Sequence, residues 1–506
     1  MTATDAASAP APPAQSGPAQ SLPGHTPVNA DALHTDRLYI DGAWRAPHAA
    51  GSIVVHNPAT ELAIGSVPAA DEADVDAAVR AAAAALPGWL GTDPAHRAEL
   101  CARIGELLAE RAEELAALIS AEVGAPIAFA RGFHTEASIE RFLQMPEQAA
   151  SIEFAHADGG SLILREGVGV VAAITPWNYP MLQIAEKVAP ALAAGCTVVL
   201  KPSEVTPLCA YLLADCIDAA GLPPGVFNLI SGHGPSAGEA LVAHPLVDMV
   251  SFTGSTRAGR RISEVAAARV KRTAMELGGK SPNVILDDIR GERLAEVVAA
   301  GVENCYENSG QTCSALTRML VPRTQLADAE RAAAEAARSM RMGDPADERT
   351  QLGPLVSAAQ RERVLGYIRL GQQEGARLIV GGEDAVAGLP VGHYVTPTVF
   401  SDVASDMRIA QEEIFGPVLC LIPYDTEDEA IAIANGTDYG LAAGVWSADR
   451  ERAIAVAMRI RSGIVQVNGG EGPPGAPFGG FKQSGHGRES GVYGLQEFLT
   501  TRTIAL

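Results

Sequence analysis

The sequence predicts an α/β protein with two doubly wound open sheets in series. Three observations carry this reading. Strand-like and helix-like runs alternate from about residue 169 to 252 and again from about 277 to 487, a pattern that builds parallel sheets with helices on both faces. Where strands end, the chain turns through stretches such as "TPWNYP" (175–180) and "TGSTRAG" (253–259), at the carboxyl ends where such sheets hold ligands. The 506 residues also exceed what one hydrophobic core organises.

Taken in order, residues 1–36 stand apart. They are rich in Ala, Pro, Ser and Gln, with six prolines, and are expected to form a disordered tail because they carry too little apolar surface to order themselves. The first Lys or Arg is Arg37, so neither a secretory signal nor a transit peptide fits. Residues 37–59 alternate apolar and polar and predict two edge strands with a turn. Residues 72–86 and 94–121 have helical period, with Asp71 and Asp93 as N-caps and Pro94 at the first helical position. A longer helix is expected over 133–153, then "SLILREGVGVVAAITPWNYP" as strand, turn and buried strand, broken at Pro176.

The first alternation places strands at "GVVAAIT", "CTVVLKP", "VFNLISG" and "VDMVSFTG", with helices at 181–194, 207–220, 235–243 and 256–269. The second places strands at "PNVILDD", "ALTRMLVPR", "ARLIVGG", "YVTPTVF", "GPVLCLIPYD", "LAAGVWS" and "GIVQVNGG", with helices at 290–304, 326–340, 356–374, 426–435 and 449–461. The C-terminal "EFLTTRTIAL" reads as a strand.

Composition narrows the function. Asp and Glu total 60 against 38 Lys and Arg, a formal charge of -22, which argues against nucleic acid or an anionic membrane as partner. No apolar run reaches the roughly 18 residues that a membrane span needs. Seven cysteines show no CxxC or CxxH spacing, so no metal site is expected, and an odd count in an acidic chain points to reduced thiols in the cytoplasm.

The chemistry gathers at the strand ends. Gly254 to Gly259 join a strand to a helix whose N–H groups suit a pyrophosphate, although an ordinary glycine turn reads the same way. Lys201 and Glu204 in "KPSE" are either a solvated Lys and a helix-cap Glu or a ribose clamp. Asn178 is either an Asx-turn residue or an amide donor to a developing oxyanion. Glu276 precedes two glycines that allow another backbone to approach closely, which is odd for a surface turn. Cys313 in "ENSGQTCSA" and Cys305 eight residues earlier could each be a buried hydrophobe; Cys305 lies on the apolar helical face and is read as core.

The set "TPWNYP", "KPSE", "FTGSTRAG", "ELGGKSPN", "NSGQTC", "EEIFGP" and "PFGGFKQSGHGRE", in that order, is specific. On it, residues 37–506 resemble the NAD(P)-dependent aldehyde dehydrogenase superfamily. The resemblance implies an aldehyde dehydrogenase-like fold, with an NAD-binding domain over 37–146 and 167–276 and a catalytic domain over 277–487. It adds oligomerisation strands over 147–166 and 488–506, giving a homodimer or homotetramer. It assigns Cys313 as nucleophile, Glu276 as general base and Asn178, with the Cys313 N–H, as oxyanion donors. It assigns Lys201 and Glu204 to the adenosine ribose, Gly254, Ser255, Thr256 and Gly259 to the pyrophosphate turn, and Glu413 and Phe415 to the nicotinamide ribose and ring. Thr175, Trp177, Ser203, Gly234, Leu277 and Gly278 complete the NAD contacts, and Lys187 with Glu489 forms a more distant proton relay.

In that mechanism the Cys313 thiolate captures an aldehyde, oxidation leaves a thioester, and Glu276-activated water hydrolyses it. Polar surroundings and a nearby base are expected to lower the Cys313 pKa. A CoA-acylating semialdehyde dehydrogenase and a catalytically silent relative are the alternatives; Glu276 argues against the first, and the intact Cys313, Glu276 and Asn178 against the second. Two departures stand out. The segment from Glu276 to Cys313 is about three residues longer than usual, around "DDIRGER". Gln183 and Glu186 stand where apolar residues commonly line the substrate tunnel, and "GGEGPPGAP" (469–477) is an unusual tunnel wall.

Overall fold

The computed structural model describes residues 33–506. The expected tail therefore lies outside the described residues up to position 32. Its last four residues depart from that expectation: they form a turn in which Leu33 is buried and the His34 ring sits 4.9 Å from that of Trp44. Composition does not foresee this because Leu33 is an apolar side chain with a core to enter.

The first sheet runs Ala43–Arg45, Leu38–Ile40, Phe227–Leu229, Thr197–Lys201, Val170–Ile174, Met249–Thr253, Arg272–Glu276 and Gly485–His486. The central five strands are parallel and the outer pairs antiparallel. Along the chain the central strands follow the order 3-2-1-4-5, so the sheet is doubly wound from Val170–Ile174 outward. Four of them are buried throughout, as helices on both faces require, while Arg272–Glu276 begins exposed and is buried from Ala274 on. The second sheet runs Arg377–Val380, Thr398–Ser401, Val418–Tyr424, Arg318–Pro322, Pro282–Ile285, Ala442–Trp446 and Ile464–Val467, all parallel except its first pair.

A three-stranded antiparallel sheet joins Leu499–Ala505, Ser161–Gly167 and Ala155–Asp158. It corrects the strand reading of 147–166 and 488–506, because Met145–Ala150 and Gly491–Glu497 are helices. The two edge strands expected over 37–59 are three, and Ser52–His56 pairs with Ala63–Pro68 in a separate ribbon.

The helix caps follow the expected chemistry. Asp71 accepts from the Ala73 and Asp74 N–H groups, Asp93 accepts from Ala95, and Pro94 opens its helix. The helix bounds do not all follow. The first runs over Glu72–Leu90, the second divides at Arg111, and the 133–153 stretch breaks at Gln144. Pro146 explains the last break, since it offers no N–H to the preceding turn. One helix start is capped from outside: the buried Glu122 carboxylate accepts from Leu208 and Cys209 N–H at 2.6 and 3.2 Å, and burial raises its pKa to about 8.

Candidate active site

The order of the first sheet reverses between Val170–Ile174 and Met249–Thr253, and the turns beyond these strands open into a cleft of about 430 Å³. Trp177, Asn178, Gly254, Ser255, Thr256, Glu276, Leu277, Gly278, Cys313, Glu413 and Phe415 all line it. The structure thus brings together all three expected catalytic residues and much of the expected cofactor set. Thr175, Lys201, Ser203, Glu204, Gly234 and Gly259 do not line it. Gly259 instead lets its helix pack on Leu277, where an added Cβ would come within 2.6 Å of that side chain.

The Cys313 loop is shaped by backbone conformation. Helix Gly291–Tyr306 ends, and Asn308, Ser309 and Gly310 follow with φ of 50°, 57° and 74°. Two consecutive non-glycine residues in the left-handed region are strained and need fixing from outside. Asn308 donates to the Asn178 carbonyl at 2.9 Å and Ser309 to the Gly353 carbonyl at 2.9 Å. Gln311 accepts from Val356 N–H, and its carbonyl accepts from Asn178 Nδ2 at 2.9 Å. At Gly310 an added Cβ would lie 2.2 Å from the Gly416 carbonyl, so backbone passes directly over backbone. The two glycines after Glu276 work similarly: a Cβ at Gly278 would strike the Glu413 carboxylate, and one at Gly279 the Cys313 carbonyl.

Electrostatics correct one expectation. Burial raises the Cys313 pKa rather than lowering it, and the carboxylates of Glu276, Glu413 and Glu489 add to the rise. Glu276 is itself buried, and neither of its oxygens has a hydrogen-bond partner among the described residues. Its pKa is held well above the usual carboxylate range, first by burial and then by Glu489, with Lys187 and Arg488 opposing. A thiolate beside the Glu276 carboxylate in a desolvated cleft is costly, and that cost is part of the rise at Cys313. Behind Glu276, fully buried Lys187 pairs with Glu489 and donates to Thr253 Oγ1 at 2.6 Å.

The cofactor side fits a dinucleotide. Helix Thr256–Ala267 points its N-terminus at the cleft, capped by Ser255, as an anionic diphosphate needs. Glu413 accepts from Gly279 N–H at 3.0 Å, and burial raises its pKa to about 7. The Trp177 and Phe415 rings stand edge to face, 5.3 Å apart. Phe415 has φ of 65°, and two residues that the sequence did not single out hold this loop. Gln360 donates to the Phe415 carbonyl at 2.7 Å and Arg363 to the Glu413 carbonyl at 2.6 Å. Tyr439 also lines the cleft and was equally unmarked. At the end of the neighbouring strand, buried Lys201 donates to the Pro202 and Gly232 carbonyls, with Glu204 3.6 Å away and His233 3.7 Å beyond it. Ser203 accepts from Val205 N–H at 3.2 Å. Gly234 has open space around its Cα.

Two expected tunnel features differ. Gln183 lines the cleft, but Glu186 turns away and is bound by Arg141 and Ser490. The 469–477 stretch contributes no lining residue and is mostly exposed.

A doubly wound sheet whose switch point opens on a cysteine and a buried glutamate has the layout of an enzyme site built to take a nucleotide. The chain belongs to the aldehyde dehydrogenase family, whose model matches residues 44–504, and it is an oxidoreductase acting on aldehydes. It is 48% identical over 468 residues to a 3-succinoylsemialdehyde-pyridine dehydrogenase of Pseudomonas, covering 92% of this chain and 98% of that one. Aldehyde dehydrogenase C of Pseudomonas syringae, solved as a mutant with NAD and octanal, is 52% identical with a TM-score of 0.91, covering 93% of this chain and 97% of that one. An aldehyde dehydrogenase of Mycobacterium tuberculosis, solved with NAD, is 42% identical with a TM-score of 0.90, covering 93% and 98%.

Proposed function

We propose that this enzyme oxidises an aldehyde to its carboxylic acid with NAD, through a covalent sulfur intermediate on Cys313. The observation that carries the reading is that Cys313, Asn178 and an unpartnered, buried Glu276 face one cleft. Ser255 and Thr256 would hold the diphosphate, Glu413 a ribose, and Trp177 and Phe415 the ring. NAD, when bound, supplies the hydride acceptor and a positive charge beside the sulfur.

The residues act in sequence. Cys313, once its thiol has released its proton to solvent, attacks the carbonyl carbon as the thiolate, and the carbonyl π pair moves onto oxygen. Asn178 spends one N–H on the Gln311 carbonyl, and its second donor is free for the oxyanion alongside the Cys313 N–H. Oxidation leaves a thioester on Cys313. Ionised Glu276 then takes a proton from the water that attacks the thioester carbon, the C–S bond breaks to release the acid and the Cys313 thiolate, and the Lys187–Glu489 pair carries the proton away.

With a panel spanning octanal, benzaldehyde and a pyridine-bearing semialdehyde, NADH absorbance should rise without CoA. Turnover only when CoA is added would favour acyl transfer to a thiol and remove Glu276's role.

Glu204 supports NAD over NADP. A carboxylate at the adenosine ribose accepts from the 2′-OH and repels a 2′-phosphate. The expected kcat/KM with NAD is at least about 10-fold higher, one pairwise charge repulsion in magnitude. Equal values would place Glu204 away from the ribose. The seven free cysteines support a reducing, cytoplasmic setting. Among the described residues no helix is long and apolar enough to cross a membrane. The exposed edge of Leu499–Ala505 supports pairing between subunits, as a dimer or tetramer.

A further inference from the structure

Glu186 has no place in the chemistry so far. It was expected on the substrate side, yet it is buried and fully engaged elsewhere. One oxygen accepts from Arg141 Nε at 2.5 Å and from Ser490 Oγ at 2.7 Å, and the other accepts from Ser490 N–H at 3.0 Å. The residue it grips is unusual. Ser490 has φ of 67° and ψ of 144°, a conformation that a side chain strains to adopt.

Its neighbours show what the grip does. Glu186 and Lys187 are consecutive on helix Pro180–Ala194, and they hold the consecutive residues Ser490 and Glu489. On the other side, Glu489 is fixed by reciprocal backbone bonds with Phe478 at 2.8 and 2.9 Å. The Glu489 carboxyl is therefore set by one main-chain bridge before it and one side-chain anchor after it. The charged groups around it are Lys187, Glu186, Arg141 and Glu276, with Arg488 acting on Glu276.

We propose that the Arg141–Glu186 pair is a positioning device for thioester hydrolysis. It pins Ser490 in its left-handed conformation and so holds Glu489 on Lys187, within electrostatic reach of Glu276. This rests on the reading of Lys187–Glu489 as the proton carrier of the water step. Glu186 does not itself carry the proton, since both of its oxygens are occupied.

The test compares the first turnover with the steady state in the full-length enzyme, using stopped-flow NADH absorbance with octanal. Glu186→Ala should leave the first-turnover rate and the aldehyde KM within about twofold of wild type. Its steady-state rate should fall about 10- to 100-fold, the usual loss when a catalytic group is displaced by about an ångström. Glu186→Gln keeps the shape and one acceptor, so its loss should be intermediate; it also serves if the alanine variant does not fold. The double variant Glu186→Ala with Glu489→Gln should be no slower than Glu489→Gln alone, because both changes remove one function.

Three results would overturn the proposal: an unchanged steady state in Glu186→Ala and Glu186→Gln, equal losses in both phases, or losses that multiply in the double variant. Glu489→Gln by itself separates the two readings. If it hydrolyses thioester normally, the proton-carrier role fails. If it is slow while Glu186→Ala is not, only the positioning role fails.

Discussion

Cys313→Ala is expected to reduce aldehyde oxidation by more than about 100-fold, as loss of a covalent nucleophile does, with NAD binding retained. No other cysteine lines the cleft, and the remaining six are buried in the core. Cys305 in particular lies fully buried against the second sheet and cannot substitute. Calorimetric titration of NAD onto the variant, beside steady-state NADH production, checks both halves. Turnover above about 1% of wild type would remove Cys313 from the nucleophile's role.

Glu276→Gln should separate the two chemical steps. The amide fills the same space but takes no proton, so the first turnover should release up to one NADH per site and hydrolysis should then slow by about 10²–10⁴-fold. Mass spectrometry should trap the acyl adduct on Cys313. The pH profile adds a second readout. Burial and Glu489 raise the Glu276 pKa, so the protonated, incompetent form persists above the usual carboxylate range. Wild-type hydrolysis should therefore quicken as pH rises through that raised value, with Glu489, Lys187, Arg488 and Glu186 the charged groups setting it. The glutamine variant should lose this dependence. A variant with no first-turnover release would instead make Glu276 the activator of Cys313, and a normal steady state would exclude it from the reaction.

Much of this was legible in the sequence because chemistry at the ends of parallel strands is local. "TPWNYP", "TGSTRAG" and "ELGGK" each follow a strand, and the doubly wound order then brings them to one edge. The arrangement of the nucleophile loop was not legible. Nothing in "ENSG" announces that Asn308 and Ser309 take left-handed conformations, since the bonds that hold them come from Asn178 and Gly353, far away in sequence. Gln360 and Arg363 escaped for a related reason: they act on backbone carbonyls about fifty residues distant, and an exposed helical face looks the same whether or not such a loop rests on it. Glu186 differs from its expected place because a resemblance carries over a position and not the direction of its side chain, which here turns to Arg141 and Ser490. The Cys313 pKa goes the other way because polar neighbours help a thiolate only when they solvate it, and here desolvation and the carboxylates of Glu276, Glu413 and Glu489 oppose it.

The contact between Gly310 and Gly416 has a consequence for how the two halves of the site can change. One glycine belongs to the loop that carries the sulfur and the other to the loop that carries Glu413 and Phe415, and they meet main chain to main chain. No side chain lies between them to absorb a displacement. The two loops therefore share a degree of freedom: a shift of the Glu413–Phe415 loop is a shift of the Cys313 loop. Gln183 also lines the cleft but belongs to helix Pro180–Ala194, outside that contact. A substitution that displaces either loop is therefore expected to disturb the other as well.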